Sequence, residues 1–431
     1  MKGNCTVFAI LPVCFGKQLI VKINGGKFAK EAFSMLFDFS GMPFFDDHTH
    51  LLNVTNREIN LRDYIGPFNH GYVDNPPENQ PFDTNVAGNN RPQDISDEML
   101  EFTVKNLGVV KFFTKSMSEF FGCDCTPEAV LAQRNKRSLA DMVAYTKSLY
   151  QDQQIIAEVV DAPHPMGDPA MDCFPTKVFR LFQTDGLVYR LIRTCDSYQE
   201  CEDRFDAALR QALKEGFIGV KCHVLEVNRT APHYVDATDA QRVYYAAKKG
   251  DLAAIEEVYY AIFCHMLLMT QQLGFPVHLH TGLTGKMTYQ DVNLRNPLCF
   301  CELLNDKRFY RSHLMFLHAG YPDVRAASCM AQSYPNVWVD LAQVMPWEVV
   351  NMPSIIEDLM GFASHGKITL GSGAHGHPEI NWITAKVAKQ SLAVVMSRAV
   401  ESGFMTKEQA VYTAECILFR NAQRLYHLDL V

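Results

Sequence analysis

The sequence predicts an α/β protein, a (β/α)8 TIM barrel with long inserted loops and a short N-terminal extension. Short apolar runs alternate with longer amphipathic stretches along the whole chain, with no second compositional block. About eight such runs fall within roughly 330 residues, the spacing of a (β/α)8 barrel that carries insertions. Several runs end in polar ionisable residues, which is where barrel enzymes keep their sites. The expected organisation is an extension over residues 1–26 and a barrel over residues 27–431.

The first strand is expected at Phe44–His48. The others follow at Gln154–Val160, Gly186–Ile192, Phe217–Val224, Phe275–His280, His313–His318, Asn336–Leu341 and Lys367–Gly371. Each is short, rich in Val, Ile, Leu or Phe, and bounded by Gly, Pro or Asn, the pattern of a strand buried on both faces. Between them, Ile255, Tyr259, Ile262, Met266, Met269 and Leu273 recur at helical spacing, and Gly274 closes that helix as a C-cap. Ala388, Leu392, Val395 and Ala399 repeat the pattern, and Thr406 with Gln409 forms a capping box opening a last helix. Two segments lack apolar periodicity, about Ile65 to Asp94 and Asn228 to Gln241, and read as lid or binding loops.

Composition removes other classes. The 431 residues carry 40 Lys+Arg against 48 Asp+Glu, a net charge of −8, so nothing attracts the chain to phosphate backbones or anionic lipid. Hydrophobic residues at 48% and charged residues at 20% exclude intrinsic disorder. No apolar run is expected to reach the ~20 residues of a spanning helix. The 13 cysteines are odd in number and scattered, and Cys123/Cys125 and Cys299/Cys301 are not CxxC pairs, so reduced thiols in a cytoplasmic protein are expected. Lys2 followed by the apolar stretch from Cys5 to Phe15 is a faint echo of a signal peptide. Lys17 and Lys22 follow quickly without a small-x-small site, so a short strand ahead of the barrel is expected instead.

The histidines carry the chemistry. Asp47-His48-Thr49-His50 ends the first strand with two histidines that face the same way, because side chains alternate along a strand. His280 ends Pro276-Val277-His278-Leu279-His280, His318 ends Leu314-Met315-Phe316-Leu317-His318, and Lys221 sits near the end of Gly219-Val220-Lys221-Cys222. Any strand can carry HxH by chance, but four histidines from three strand ends point to a shared metal. Neutral imidazoles suit zinc, and an open coordination position lowers the pKa of bound water to ~7. Lys221 is open to three readings: a rim cation, a partner for a substrate carboxylate, or a carboxylated bridging ligand. Arg190 and Arg193 lie near the end of the expected third strand, where a guanidinium could clamp a substrate carboxylate, or pair locally with Asp196.

These motifs resemble the amidohydrolase superfamily, specifically the amidohydrolase-related (amidohydrolase 2) group of metal-dependent TIM-barrel hydrolases. The similarity is greatest to the branch related to the N-terminal domain of glutamine-synthetase-like fusion proteins. Besides the strand ends above, Leu317-His318-Ala319-Gly320-Tyr321-Pro322, Tyr334-Pro335-Asn336-Val337-Trp338-Val339-Asp340-Leu341 and Asn421-Ala422-Gln423-Arg424-Leu425-Tyr426 carry the resemblance. It implies that His48, His50 and His280, with Lys221, hold a divalent metal, zinc first and manganese or iron next. It implies that His318 orients water, polarises the scissile group or binds a second metal. His278 shares a face with His280 but has no fixed family role; it is read as a support for the ligands or a substrate contact, and Arg193 as a substrate contact.

One departure stands out. The family's last strand ends in Ser-Asp or Thr-Asp, whose carboxylate touches the metal and serves as general base. Here Leu370-Gly371-Ser372-Gly373-Ala374-His375 places Gly373 at that position. Losing a general base typically costs ~10²–10⁴-fold in rate. His375 is the nearest replacement in sequence. The expectation is a metal-dependent hydrolase in which activated water attacks a C–N or C–O bond of a small molecule, with His318 and His375 catalytic. The alternatives are a non-oxidative decarboxylase or hydratase of the same family, or an inactive metal-binding homologue. The expected partner is a small-molecule substrate, with no nucleic acid and no membrane; association into a homo-oligomer is compatible with such a barrel.

Overall fold

A computed structural model describes residues 36–69, 74, 94–162, 171–282 and 295–430. Eight parallel strands lie in chain order. They are β1 (Phe44–Thr49), β2 (Ile155–Asp161), β3 (Lys177–Gln183), β4 (Gly219–Cys222), β5 (Val277–His280), β6 (Leu314–Leu317), β7 (Val337–Asp340) and β8 (Ile368–Thr369). The ring closes through the segment after β8: Asp47 N donates to Leu370 O (3.1 Å), Gly373 N to His48 O (2.7 Å) and His50 N to Ala374 O (2.9 Å). This is a (β/α)8 barrel. The expected extension over residues 1–26 and most of the Ile65–Asp94 segment lie outside the described residues.

The expected third strand is a helix. Asp185–Thr194 forms α1, which buries Val188, Leu191 and Ile192 at three- and four-residue spacing. The true β3 precedes it and carries Lys177 and Arg180, which disguise it as surface. Arg180 is nonetheless buried, with its guanidinium 5.0 Å from the centre of the Phe217 ring. After β3 come α2 (Tyr198–Glu215), the short α3 (Val224–Val227), α4 (Ala237–Lys248) and α5 (Leu252–Leu273). The irregular insert after β4 ends sooner than expected, where the Asp236 carboxylate accepts from Thr238 N and Asp239 N and opens α4.

Contrary to expectation, α5 is long and apolar enough to cross a bilayer, with mean hydropathy 1.5 over its most apolar window. That window is 61% buried in the barrel's outer layer, where α5 packs on α2 and α4, which accounts for its composition. Gly274 adopts the left-handed C-cap (φ 74°), and the Thr406–Gln409 capping box is formed. Within the outer layer, α6 (Pro378–Glu401) is the long helix after β8; its buried Asn381 bonds β1 and β2 through Asp46, Thr49 and Glu158, and its buried Trp382 donates to Asp152. The cysteines of the described residues are free thiols.

Candidate metal centre

A bulge in β1 builds the site. Asp46 pairs with Glu158 and Thr49 with Val160, so β1 spends one more residue than β2 between the two rungs. Asp46 Oδ2 and Thr49 Oγ1 then face outward, where Asn381 Nδ2 donates to both (3.1 and 2.9 Å). His48 faces the interior, its ring centre 5.1 Å from His50, 5.7 Å from His278 and 6.2 Å from His318. His50 Nδ1 donates to Asp161 O (3.0 Å), which leaves its Nε2 lone pair directed away from that carbonyl.

Asp161 ends β2 and completes the group. His48, His50 and Asp161 each offer a ligand atom, all within 4.8 Å of one another. Gln183 Nε2 donates to Asp161 Oδ1. Asp161 Oδ2 and His48 Nδ1 are buried and have no hydrogen-bond partner among the described residues. Buried polar atoms are normally paired, so two unpaired ones in a histidine–carboxylate group fit a cation. Lys221 is fully buried rather than at the rim, with Nζ 3.5 Å from His48 Nε2 and 3.9 Å from Asp161 Oδ2.

Burial, with the nearby Lys221 ammonium, pushes the imidazoles down: His50 and His278 to about 3, and His48 and His318 well below their ordinary value. They are therefore neutral, the form that binds metal. Deeper in the barrel, burial raises Asp47 to about 6, the hydroxyls of Thr369 and Tyr426 opposing it. Burial and the charge of Asp47 hold Asp340 well above the usual carboxylate range.

A sequence profile described as amidohydrolase matches residues 183–428, more than half of the chain. The chain belongs to the amidohydrolase family. The match opens at the end of β3, so the β1 histidines lie outside it and stand on the geometry above. Protein fluG of Emericella nidulans is 32% identical over 157 residues, which span 36% of this chain and 18% of that protein. The match thus covers under a fifth of that curated relative. A structure from Lactobacillus casei assigned as a metal-dependent hydrolase superimposes with a TM-score of 0.71 at 17% identity, covering 90% of this chain and 97% of that one. Glucuronate isomerase from Caulobacter crescentus gives 0.65 at 14% identity, covering 90% and 92%. At these identities the two structures show the shared barrel fold alone.

The amidohydrolase barrel sorts the predicted residues into different places. His48 and His50 lie together, with the Asp161 carboxylate beside them. His280 stands apart from them, Nε2 2.9 Å from Glu226 Oε1 and Nδ1 3.3 Å from His318 Nε2. His318 Nδ1 donates to Ala342 O (2.6 Å), while Ala342 N donates to Asp340 Oδ1 (2.7 Å). Asp340 thereby fixes the loop that holds His318. His375 is exposed and stacks on His50, with ring centres 3.7 Å apart and an interplanar angle of 13°.

Two predicted substrate contacts land elsewhere. His278 is fully buried one layer below His280, its Nε2 engaged by the Tyr426 hydroxyl. It belongs to the barrel floor because Tyr426, from the end of the chain, reaches it there. Arg193 is exposed on the last turn of α1, since the segment expected to be a strand is helical.

Gly373 is more than an absent carboxylate. Its φ is +59°, and a Cβ there would lie 2.8 Å from Gln343 N and 3.0 Å from Gln343 Cβ. Asp161 was missed in the sequence although it ends its strand as His280 and His318 end theirs. Asp185, His223, Glu226 and Asp340 were missed too; His223 lies two residues after Lys221, and Asp340 is inside a quoted motif.

Proposed function

We propose that this amidohydrolase-family chain is a metal-dependent hydrolase of a small molecule, with His48, His50 and Asp161 as its metal ligands. The observation that carries this reading is the convergence of those three side chains at the barrel's C-terminal mouth, with His48 Nδ1 and Asp161 Oδ2 buried and without a hydrogen-bond partner among the described residues. The N,N,O donor set suits zinc, with manganese or iron next. A divalent cation held there supplies Lewis acidity and a lowered pKa for water.

The chain's own residues do the rest. Lys221 brings a fixed positive charge beside the ligands, where it stabilises negative charge developing on a carbonyl oxygen of the substrate. His318 is held with Nδ1–H on Ala342 O, so its Nε2 is an acceptor. That geometry favours drawing a proton from water over donating to an oxyanion. His280 Nδ1 donates to that same Nε2 at 3.3 Å, so His318 takes a proton from water as this contact opens and then passes it to the leaving group. His375 covers one face of His50 and is placed to contact substrate. Asp161 supplies the metal-binding carboxylate that Gly373 lacks.

The test is elemental analysis of the purified chain with a product screen on lactones, esters, amides and carboxylic acids. A bound divalent ion is expected, with alcohol or amine release that chelation abolishes and Asp161→Asn reduces by at least ~10²-fold. An intact fold that binds no metal, or carbon dioxide release without hydrolysis, would overturn the reading.

A further inference from the structure

We propose that Thr281 is the positioning residue for His318: its hydroxyl closes a left-handed turn that presents the His318 ring to the barrel mouth. The inference rests on the role given to His318 above. The turn departs from ordinary backbone. His318, Ala319 and Gly320 follow β6 in succession with φ of +63°, +49° and +62°. Such values are uncommon outside glycine, and alanine has no polar side chain to ease them. Backbone of this kind persists where its surroundings over-determine it, and it gathers at functional residues.

Thr281 supplies that determination from the neighbouring strand. It follows β5 directly, and its buried Oγ1 donates to Leu317 O (2.6 Å) and accepts from Gly320 N (3.0 Å). One hydroxyl thus brackets the strained residues, with a bond to the backbone on either side of them. Tyr321 N donates to His318 O (2.8 Å), which tightens the turn from within. Close packing seats it. A Cβ on Gly282 would strike Gly320 C and the Tyr321 backbone, and a Cβ on Gly320 would strike the Pro297 ring. Gly282 is itself tied down, its N–H donating to Arg295 O (2.8 Å).

The turn decides where the imidazole sits, and Ala342 decides which nitrogen it offers. With the backbone fixed at Leu317 and Gly320, His318 Nδ1 reaches Ala342 O at 2.6 Å, while Ala342 N rests on Asp340 Oδ1 at 2.7 Å. A carbonyl only accepts, so the ring carries its proton on Nδ1 and keeps Nε2 as the acceptor. Without the Thr281 hydroxyl, His318 relaxes toward ordinary φ, and that motion carries Nδ1 off Ala342 O.

The test uses the full, zinc-loaded chain, labelled with heavy-nitrogen histidine for NMR, and the substrate that the product screen returns. Thr281→Val keeps the shape and removes the hydroxyl; Thr281→Ser keeps the hydroxyl. In the wild type the His318 ring signals, assigned by their loss in His318→Gln, should report a single Nδ1–H tautomer. Thr281→Val should mix the two tautomers and lower kcat by about 10²-fold, with KM and zinc content unchanged, and Thr281→Ser should restore both. That spectral change in a chain without hydrolytic activity would uphold the clamp and sink the hydrolase reading. A folded Thr281→Val that keeps the wild-type His318 spectrum, or keeps the wild-type kcat, would overturn the proposal and leave Thr281 a stabilising residue alone. Should Thr281→Val not fold, Thr281→Cys takes its place, because a thiol is only a weak donor and acceptor; a wild-type spectrum and kcat there would overturn the proposal equally.

Discussion

Installing the family's carboxylate at Gly373 should weaken the protein rather than repair it. In Gly373→Asp the new Cβ enters at φ +59° and meets Gln343 N at 2.8 Å, a backbone atom that cannot swing aside. A non-glycine residue in the left-handed region costs about 1–2 kcal/mol, with Asp toward the lower end. Forcing extra atoms into a packed region costs about 1–3 kcal/mol more. The hydrogen bonds at risk are Gln343 N to Ser372 O (3.1 Å) and Gly373 N to His48 O (2.7 Å), and the second ties the segment after β8 to β1. A loss of about 2–5 kcal/mol is expected in urea unfolding of the chelated protein. Gly373→Ala should show most of the same loss, since it shares the Cβ without the carboxylate. Gly373→Asp with wild-type stability and tighter zinc binding would refute the argument, because Gln343 would then yield and the position would be a vacated ligand site.

Three other outcomes are expected. Asp161→Asn and His48→Ala should each lower zinc affinity by more than the ~10–100-fold that a supporting residue costs; competition with a chromophoric chelator reads this, and an unchanged affinity in either would remove that residue from the ligand set. Arg134→Met should destabilise the fold by about 3–5 kcal/mol, because it strips the charge partner from buried Glu379, where Arg134 Nε donates to Oε1 at 3.0 Å and only the Tyr145 hydroxyl (3.1 Å) would still donate to that oxygen among the described residues; a urea midpoint within error of wild type would contradict that. Burial pushes the Lys389 ammonium down to about 8, below its ordinary ~10.4.

The sign of the Lys389 effect follows from that depression. Between those values the unfolded chain holds the proton that the folded chain releases, so stability rises with pH through that window and is lowest beneath it. Lys389→Met should remove a rise on the order of 3 kcal/mol, and variant and wild-type curves of identical slope from about pH 7 to 10.5 would refute it.

Much of the barrel was legible because its signals are local. A run such as Phe275–His280 or Asn336–Leu341 is apolar on both faces whatever surrounds it, and the bounding Gly or Pro marks where it stops. Gly274 and the Thr406–Gln409 pair announce helix ends through their own backbone needs. The exception, β3, hid because Arg180 is buried against Phe217, a partner that sequence does not place beside it, while Val188, Leu191 and Ile192 supplied a stronger apolar signal just downstream.

By itself, then, the sequence determined the fold class, the family and the strand-end histidines, since each depends on residues near one another in the chain. Only the tertiary structure decided which of them act together. Barrel closure brings Asp161 to His48 and His50 across more than a hundred residues, and the β4–β5 register pairs His280 with His223 instead. It also decided that Gly373 faces the Gln343 backbone. Metal coordination and steric exclusion act over a few ångströms in space, and that proximity exists only once the ring of strands has closed.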